Sequence, residues 1–265
     1  MNTFANYIHT DEIMFKYAKG NRDIIGRESH TYHEIFLFLE GNAEFISESF
    51  SLHILPYTLI LIPKECFHQF YVHGDESDYC RCVLNFDVVH GLEKVIPTVF
   101  SDIAVIFSVG ENVRTLFEKL MKLSGPDTAD EDKEIILGAI FTMILMEIRN
   151  YPKIQKMHNN HNPVVNSAIT YIEQNILSCL TAQSVANGIH VSVSYLSHIF
   201  KKELHISVYQ YILKKKLLLA HRLINQNIPP MQAALQCGFR NYSGFYRMYK
   251  KHIGTTPSNK IHKIE

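Results

Sequence analysis

The chain has 265 residues, 46% of them hydrophobic and 20% charged, which is enough for two domains of ordinary globular composition. Its 26 basic and 26 acidic residues cancel but are unevenly placed: residues 164–265 carry 12 Lys+Arg and 3 Asp+Glu, a net +9, and residues 1–163 carry 14 and 23, a net −9. A basic C-terminal part suits a polyanion and an acidic N-terminal part does not. Met1 to Thr10 has neither a basic start nor an apolar core, and no run reaches the length of a membrane span, so a cytoplasmic chain without a signal peptide or membrane partner is expected. Five cysteines, an odd number without metal-site spacing, are expected to be reduced core residues.

Residues 13–86 break into short strand-like runs: Ile13–Ala18, Glu34–Glu40, Ala43–Ser47, Leu52–Leu55, Thr58–Ile62, Phe67–Val72 and Tyr79–Phe86. Gly41-Asn42, Pro56, Pro63-Lys64 and Gly74-Asp75-Glu76-Ser77 punctuate them. Many short strands at this spacing predict a sandwich or barrel.

Two stretches inside this region carry a pattern. Glu34 follows His30 by four residues and precedes Gly41, and Pro63 precedes His68 by five. These resemble the two cupin motifs. The resemblance implies ligands at His30, Glu34 and His68, but Glu28 stands where the first histidine of H-x-H belongs and Glu65 replaces a glycine. With His33 nearby, imidazoles and carboxylate would suit zinc, iron or manganese. The reading preferred to a metal is no metal and no cofactor, the histidines being satisfied by hydrogen bonds at the barrel mouth. Between the two lies ligand recognition, with the polar groups His30, His33, Glu34, His68 and Arg81, together with Tyr71, facing a small molecule against Phe36, Phe38 and Phe45. Alternation along the strands leaves open which set faces inward.

Two helices follow. Glu111–Leu123 aligns Val113, Leu116, Phe117 and Leu120 on one stripe, and Gly125-Pro126 ends it. Asp130-Glu131-Asp132 opens the next, where acidic charge favours the helix dipole; its apolar positions include Ile135, Ile136, Ala139, Ile140, Met143, Ile144 and Met146. Such stripes either cover the barrel or meet a partner; the Val113–Leu120 stripe is expected to be exposed and to form a homodimer. Residues 151–163, polar and aperiodic, are the expected linker between a sensor domain at 1–150 and an all-α domain at 164–265.

The C-terminal part holds two helix-turn-helix units. Asn162-Pro163 starts a helix to about Leu177; Thr181 caps Ala182–Asn187, Gly188 ends it, and Ser192 caps Val193–Leu204. His205 occupies the exit where a glycine is usual, which is possible at some cost. Ser207 caps a helix to about Asn225, roughly 28 Å long at 1.5 Å per residue, comparable with the roughly 34 Å turn of DNA. Pro229-Pro230 then opens a short helix to Gln236, Cys237-Gly238 turns the chain, and Asn241 caps a last helix to about His252, with Tyr242, Phe245, Tyr246 and Tyr249 at apolar positions.

The series Ala234, Gly238, Phe239, Ser243, Phe245, Arg247, Tyr249, Lys250, Lys251, Gly254 and Pro257 is similar to the signature of AraC/XylS-type transcription regulators, and SVSYLSHIFKKEL resembles that family's first recognition helix. Pro230 and Ala233 depart from the usual isoleucines, so the second unit is expected to be less well braced. The resemblance implies an α+β protein: a cupin-like barrel with two helices, then a double helix-turn-helix. It implies base reading by Ser194, Ser197 and His198 in one unit and Tyr242, Ser243 and Arg247 in the other, with phosphate contacts from Lys201, Lys202, Lys250 and Lys251. It further implies a non-enzymatic regulator of duplex DNA, an activator working through RNA polymerase, governed by a small effector that in such proteins is often a sugar. A metal-dependent cupin enzyme joined to a DNA-binding domain, or a regulator without an effector, are the competing expectations.

Overall fold

A computed structural model describes residues 3–20, 30–125, 132–151 and 161–258. Internal contacts divide the chain into two compact units, one holding the strands and the first three helices, the other the remaining six helices of the described residues.

The first unit contains β1 (Phe4–His9), β2 (Ile13–Lys19), β3 (His33–Glu40), β4 (Ala43–Ser47), β5 (Ser51–Ile54), β6 (Thr58–Ile62), β7 (His68–Val72), β8 (Cys80–Phe86) and β9 (Val105–Ser108). Six strands pair in the order β1-β2-β8-β3-β6-β9 and three in the order β5-β4-β7, all antiparallel. Alternation then sorts side chains into two cores. Phe36, Phe38, Ile60, Ile62 and Val83 of the large sheet meet Phe45, Ile54 and Phe70 of the small one, with Phe36 stacked on Phe70 at 3.9 Å between centroids. Ile35, Leu37, Leu59, Leu61, Leu84 and Phe86 point to the opposite face, covered by α1 (Ile96–Val99), α2 (Glu111–Leu123) and α3 (Lys133–Asn150). β3 and β8 are buried on both faces, which is why their runs read as continuous rather than alternating.

Several expectations change here. β1, β9 and α1 are additional to the elements expected: each is a single short run without a strong turn or cap signal. The α2 stripe is not exposed. Val113, Leu116, Phe117 and Leu120 are at most 5% accessible and belong to the core under the sheet. The apolar residues of α3 divide between two faces instead: Leu137, Ile140, Phe141, Ile144, Leu145 and Ile148 are buried, while Ile135, Met143 and Met146 are 73%, 53% and 38% accessible. Cys179 is exposed, whereas Cys66, Cys80, Cys82 and Cys237 are buried free thiols. Asp130, Glu131 and most of the expected linker lie outside the described residues, as does Glu28. No helix of the described residues is long and apolar enough to cross a membrane.

The second unit is all helical: α4 (Pro163–Gln174), α5 (Ala182–Gly188), α6 (Val193–Leu204), α7 (Val208–Asn225), α8 (Pro230–Gln236) and α9 (Tyr242–Ile253). α4 packs on α5 and α6; α7 packs on α6, α8 and α9. α4 stops three residues earlier than expected: the amide of Asn175 donates to the carbonyls of Tyr171 and Ile172, and its side chain donates to Tyr171 O at 2.8 Å, closing the last turn.

Candidate DNA interface

Each unit of the double motif is built by the same local chemistry. Thr181 and Ser184 form a reciprocal capping box at the start of α5, and Ser192 accepts from the Tyr195 amide to start α6. α5 and α8 finish alike. The Val191 amide donates to Ala186 O and the Phe239 amide to Ala234 O, at 3.0 and 2.9 Å, with His190 (φ 59°) and Gly238 (φ 79°) supplying the left-handed residue of a Schellman turn. The glycine expected to end α5 therefore serves packing instead, because a Cβ at Gly188 would fall inside the ring of Tyr171 on α4. His205 takes φ 52° at the exit of α6, as its position in place of a glycine requires, and Gly254 takes φ 86° after α9.

Asn241 starts α9, its Oδ1 accepting from the amides of Ser243 and Gly244 at 3.0 and 3.3 Å. α8 is well packed despite Pro230: Ala233 and Ala234 are buried with Phe245, Tyr249 and the α7 residues Leu217, Ala220 and Ile224. Two small side chains bring α8 close to its neighbours, so the isoleucines expected there are not needed for a closed core.

The outward faces carry the candidate readers. On α6, Ser194, Ser197, His198, Lys201 and Lys202 are exposed, while Leu196, Ile199, Phe200 and Leu204 are buried. On α9, Ser243, Arg247, Lys250 and Lys251 are exposed, and Tyr242 is half-buried against Phe245 at 5.8 Å. Tyr246, one of the apolar positions of the sequence pattern, is 36% accessible and shares the outward face with Ser243 and Lys250, its neighbours at i−3 and i+4. Tyr195, 47% accessible, joins the candidates without having been expected; it lies two helical turns before Lys202 on the same face. Neither tyrosine is detectable as a reader from hydrophobic periodicity, because a phenol serves buried and exposed positions alike.

Behind these outward faces lies a polar frame. The Glu203 carboxylate accepts from the Asn162 amide at 3.2 Å and faces His161 Nδ1 at 3.3 Å, tying α6 to the start of α4. Lys215 pairs with Glu173 of α4 at 3.1 Å. Lys216, 8% accessible, donates to the Ser178 carbonyl at 2.8 Å, and burial holds its ammonium below the ordinary lysine range. Its Nζ also lies 3.0 Å from where a Gly238 Cβ would be. Tyr249 meets His221 Nδ1 at 2.5 Å, and burial raises its phenol.

The N-terminal candidate residues separate by strand parity. Glu34, His68 and Arg81 are buried between the sheets, at 4%, 0% and 0% accessibility. Ligand atoms of Glu34 and His68 lie within 4.8 Å of each other, donors compatible with a transition metal, whereas His30 is grouped with the second unit. His33 belongs to the other face of β3: its ring sits 4.6 Å from Phe100 and 5.6 Å from Phe86, and its Nδ1 accepts from the Lys64 amide. Tyr71 points outward, 39% accessible, with its ring against His73. The six residues therefore do not line one wall.

Residues 185–261 match the family described as the helix-turn-helix domain. The uncharacterized HTH-type transcriptional regulator YdiP of Escherichia coli (strain K12) is 20% identical over 192 residues, covering 70% of this chain and 63% of its own length. YfiF of Bacillus subtilis (strain 168), also an uncharacterized HTH-type transcriptional regulator, is 23% identical over 244 residues, or 86% of this chain and 76% of its own. The chain thus spans less than two thirds of YdiP. Among solved structures, ToxT from Vibrio cholerae O395 aligns over 97% of this chain and 95% of its own with 14% identity and a TM-score of 0.41. Residues 185–261 of the second unit are thus a helix-turn-helix domain of AraC type.

Proposed function

We propose that this AraC-type domain makes the protein a sequence-specific regulator of transcription, with α6 and α9 each entering a major groove of duplex DNA. The observation that carries the reading is the repeated unit itself: two capped helices, each with a buried apolar face and an outward polar and basic face, both inside the half of the chain with net charge +9. Ser194, Ser197 and His198 on α6 and Ser243 and Arg247 on α9 are the base readers, joined by Tyr195 and Tyr246. Tyr242, half-buried, contributes by positioning the N-terminal turn of α9. Lys201, Lys202, Lys250 and Lys251 contact phosphates.

The N-terminal part, residues 1–150, serves as sensor, with Glu34, His68 and Arg81 as the polar centre for a small effector and residues 151–163 as connector. The protein acts as a homodimer, and the surface that supports this is the outer stripe of α3, where Ile135, Ala139, Met143 and Met146 are exposed. Activation through RNA polymerase completes the reading.

The test is a fluorescence-anisotropy titration of the full chain against the tightest duplex selected from a random library and against its scrambled counterpart, at two salt concentrations. A regulator prefers the selected duplex by a large factor that persists at the higher salt, while binding to both falls steeply with salt. Equal affinity for the two duplexes would reject sequence-specific regulation.

A further inference from the structure

The first unit holds a cavity that is not between its two sheets. It lies on the opposite face of the large sheet, under α2, with a volume of about 340 Å³. That is at the small end of ligand cavities, about 300–1,000 Å³, and suits a molecule of amino-acid size better than a large cofactor. Leu37, Leu39, Phe117 and Met121 form its apolar walls.

Backbone irregularity concentrates at this place. The β3–β8 register shifts between Phe38 and Glu40, leaving Leu39 in a bulge. Tyr57 holds φ 65°, a left-handed conformation that is strained for a bulky residue. Two backbone hydrogen bonds keep it there: its amide donates to Phe38 O at 2.7 Å, and its carbonyl accepts from the Val109 amide at 3.3 Å. The result sets the Tyr57 ring beneath the Arg114 guanidinium, 4.1 Å from its centroid.

Charge narrows the ligand. At the mouth Glu40 is matched by Lys19 at 2.9 Å. Burial pushes the Tyr17 hydroxyl up to about 12 and the Cys80 thiol above its usual range, so both are neutral near pH 7. That leaves Arg114 and Glu118, one helical turn apart on α2. The guanidinium spends its Nε on Val109 O at 3.3 Å, and among the described residues it meets no carboxylate. One cation, one anion and an apolar floor call for a ligand with the same three parts.

We propose that this cavity binds a small zwitterion with an apolar body, an apolar α-amino acid by class. Its carboxylate rests on Arg114, its ammonium on Glu118, and its side chain lies against Leu37, Leu39, Phe117 and Met121. The same contacts give occupancy a route out. Arg114 is bonded to Val109, the next residue is Gly110 at the start of α2, and the Gly110 amide donates to the Tyr151 hydroxyl at 2.9 Å. A Cβ at Gly110 would collide with that hydroxyl, so the close approach depends on a glycine there. Tyr151 closes α3, and the connector begins there. Pulling Arg114 toward a ligand therefore loads the joint from which the chain proceeds to the DNA-binding unit. This regulatory consequence rests on the DNA-binding function proposed above; the binding site itself does not.

The experiment is isothermal titration of the full chain with L-phenylalanine and L-leucine, beside 3-phenylpropanoate and phenethylamine, which each keep one charge. Saturable binding of at least one amino acid is expected, with each single-charge probe weaker by about tenfold or more, the worth of one charge-assisted hydrogen bond. Arg114→Met and the exposed Glu118→Gln should each weaken the amino acid by a similar factor in chains that still unfold in one cooperative transition, and Glu118→Gln, which removes no contact of the unliganded chain, is the variant that separates loss of binding from loss of folding. Tyr151→Phe should bind the amino acid as before yet abolish the ligand's effect on affinity for the selected duplex. No binding by either amino acid, equal binding by a single-charge probe, or indifference of both charge variants overturns the site. An intact ligand effect in Tyr151→Phe overturns the route. Failure of the unliganded chain to prefer its selected duplex would count against the DNA-binding reading alone.

Discussion

Gly188 offers a quantitative test of how the first helix-turn-helix is assembled. Replacing it with alanine removes a poor helix former from the last position of α5, a gain of at most about 1 kcal/mol. Against this, the new Cβ would occupy the space of the Tyr171 ring. Tyr171 is half-buried, so it yields by swinging outward rather than by distorting α4, and it forfeits its packing over α5. Overpacking of this kind costs about 1–3 kcal/mol, which outweighs the helical gain and leaves Gly188→Ala less stable by about 1 kcal/mol. With Tyr171→Ala already present the clash is gone and only the gain remains, so the same substitution should then stabilise. Urea unfolding of the four proteins gives the coupling directly, and at least about 1 kcal/mol is expected. Coupling near zero, or a Gly188→Ala chain as stable as its parent with Tyr171 in place, would show that the close approach does not govern the glycine.

Other outcomes follow from the same geometry. Arg247→Ala should cost about 1–3 kcal/mol on the selected duplex and relax preference at one position, whereas Lys201→Ala should weaken all sequences alike and lower the salt slope by about 1; equal loss by Arg247→Ala on selected and scrambled duplexes would make Arg247 a phosphate contact. Met143→Glu should give a folded monomer by sedimentation, since that side chain is 53% accessible; a dimer that survives it does not use the α3 stripe. Burial raises the Cys237 thiol from 9.0 to about 11, so the folded chain holds this proton over a range where the unfolded chain has lost it. The resulting stability is fully present below pH 9 and fades as pH rises toward 11, by about 2–3 kcal/mol at most. Comparing urea midpoints at pH 8 and 10.5 should show a smaller alkaline loss in Cys237→Ala than in its parent, and parallel losses would refute the assignment.

Elements whose ends carry their own chemistry are legible in the sequence. α6 and α7 end where Ser192, Ser207 and the His205 exit place them, because a hydroxyl at a cap satisfies amides that no other group reaches. Strand existence is mostly legible and strand facing is not: β3 is buried on both sides, so HEIFLFLE does not distinguish the side of Glu34 from that of His33 until β6 and β8 pair with it. The stripe of α2 reads correctly as apolar and wrongly as free, since an interface and a core helix show the same period. At the proposed DNA surface, motif and charge pick out serines and lysines that the fold leaves exposed. The phenols escape or mislead because Tyr246 satisfies the apolar period while keeping its polar end outside.

Nothing in the apolar period of α7 announces how much polar chemistry the helix hides. Its eighteen residues, about 27 Å at 1.5 Å each, would serve as a plain spacer between two readers with all of its lysines in solvent. Instead Lys214 and Lys216 are each 8% accessible. Lys216 donates to the carbonyl of Ser178, just before α5, and its ammonium lies against the Gly238 turn that leads into α9. One side chain thus touches the approach to the first reader and the bend of the second. Further along, His221 meets Tyr249 of α9, and Asn225 meets the other ring nitrogen of His221 at 2.9 Å. Hydrogen bonds have direction where apolar contacts do not, so these groups fix how α9 is turned about α7 as well as how near it lies. A buried ammonium is an unfavourable way to gain stability, because its desolvation opposes the bond it makes. What Lys216 supplies is a defined geometry between the segment before α5 and the turn before α9; under the function proposed above, a pair of readers can select two half-sites at one spacing only if that geometry does not vary.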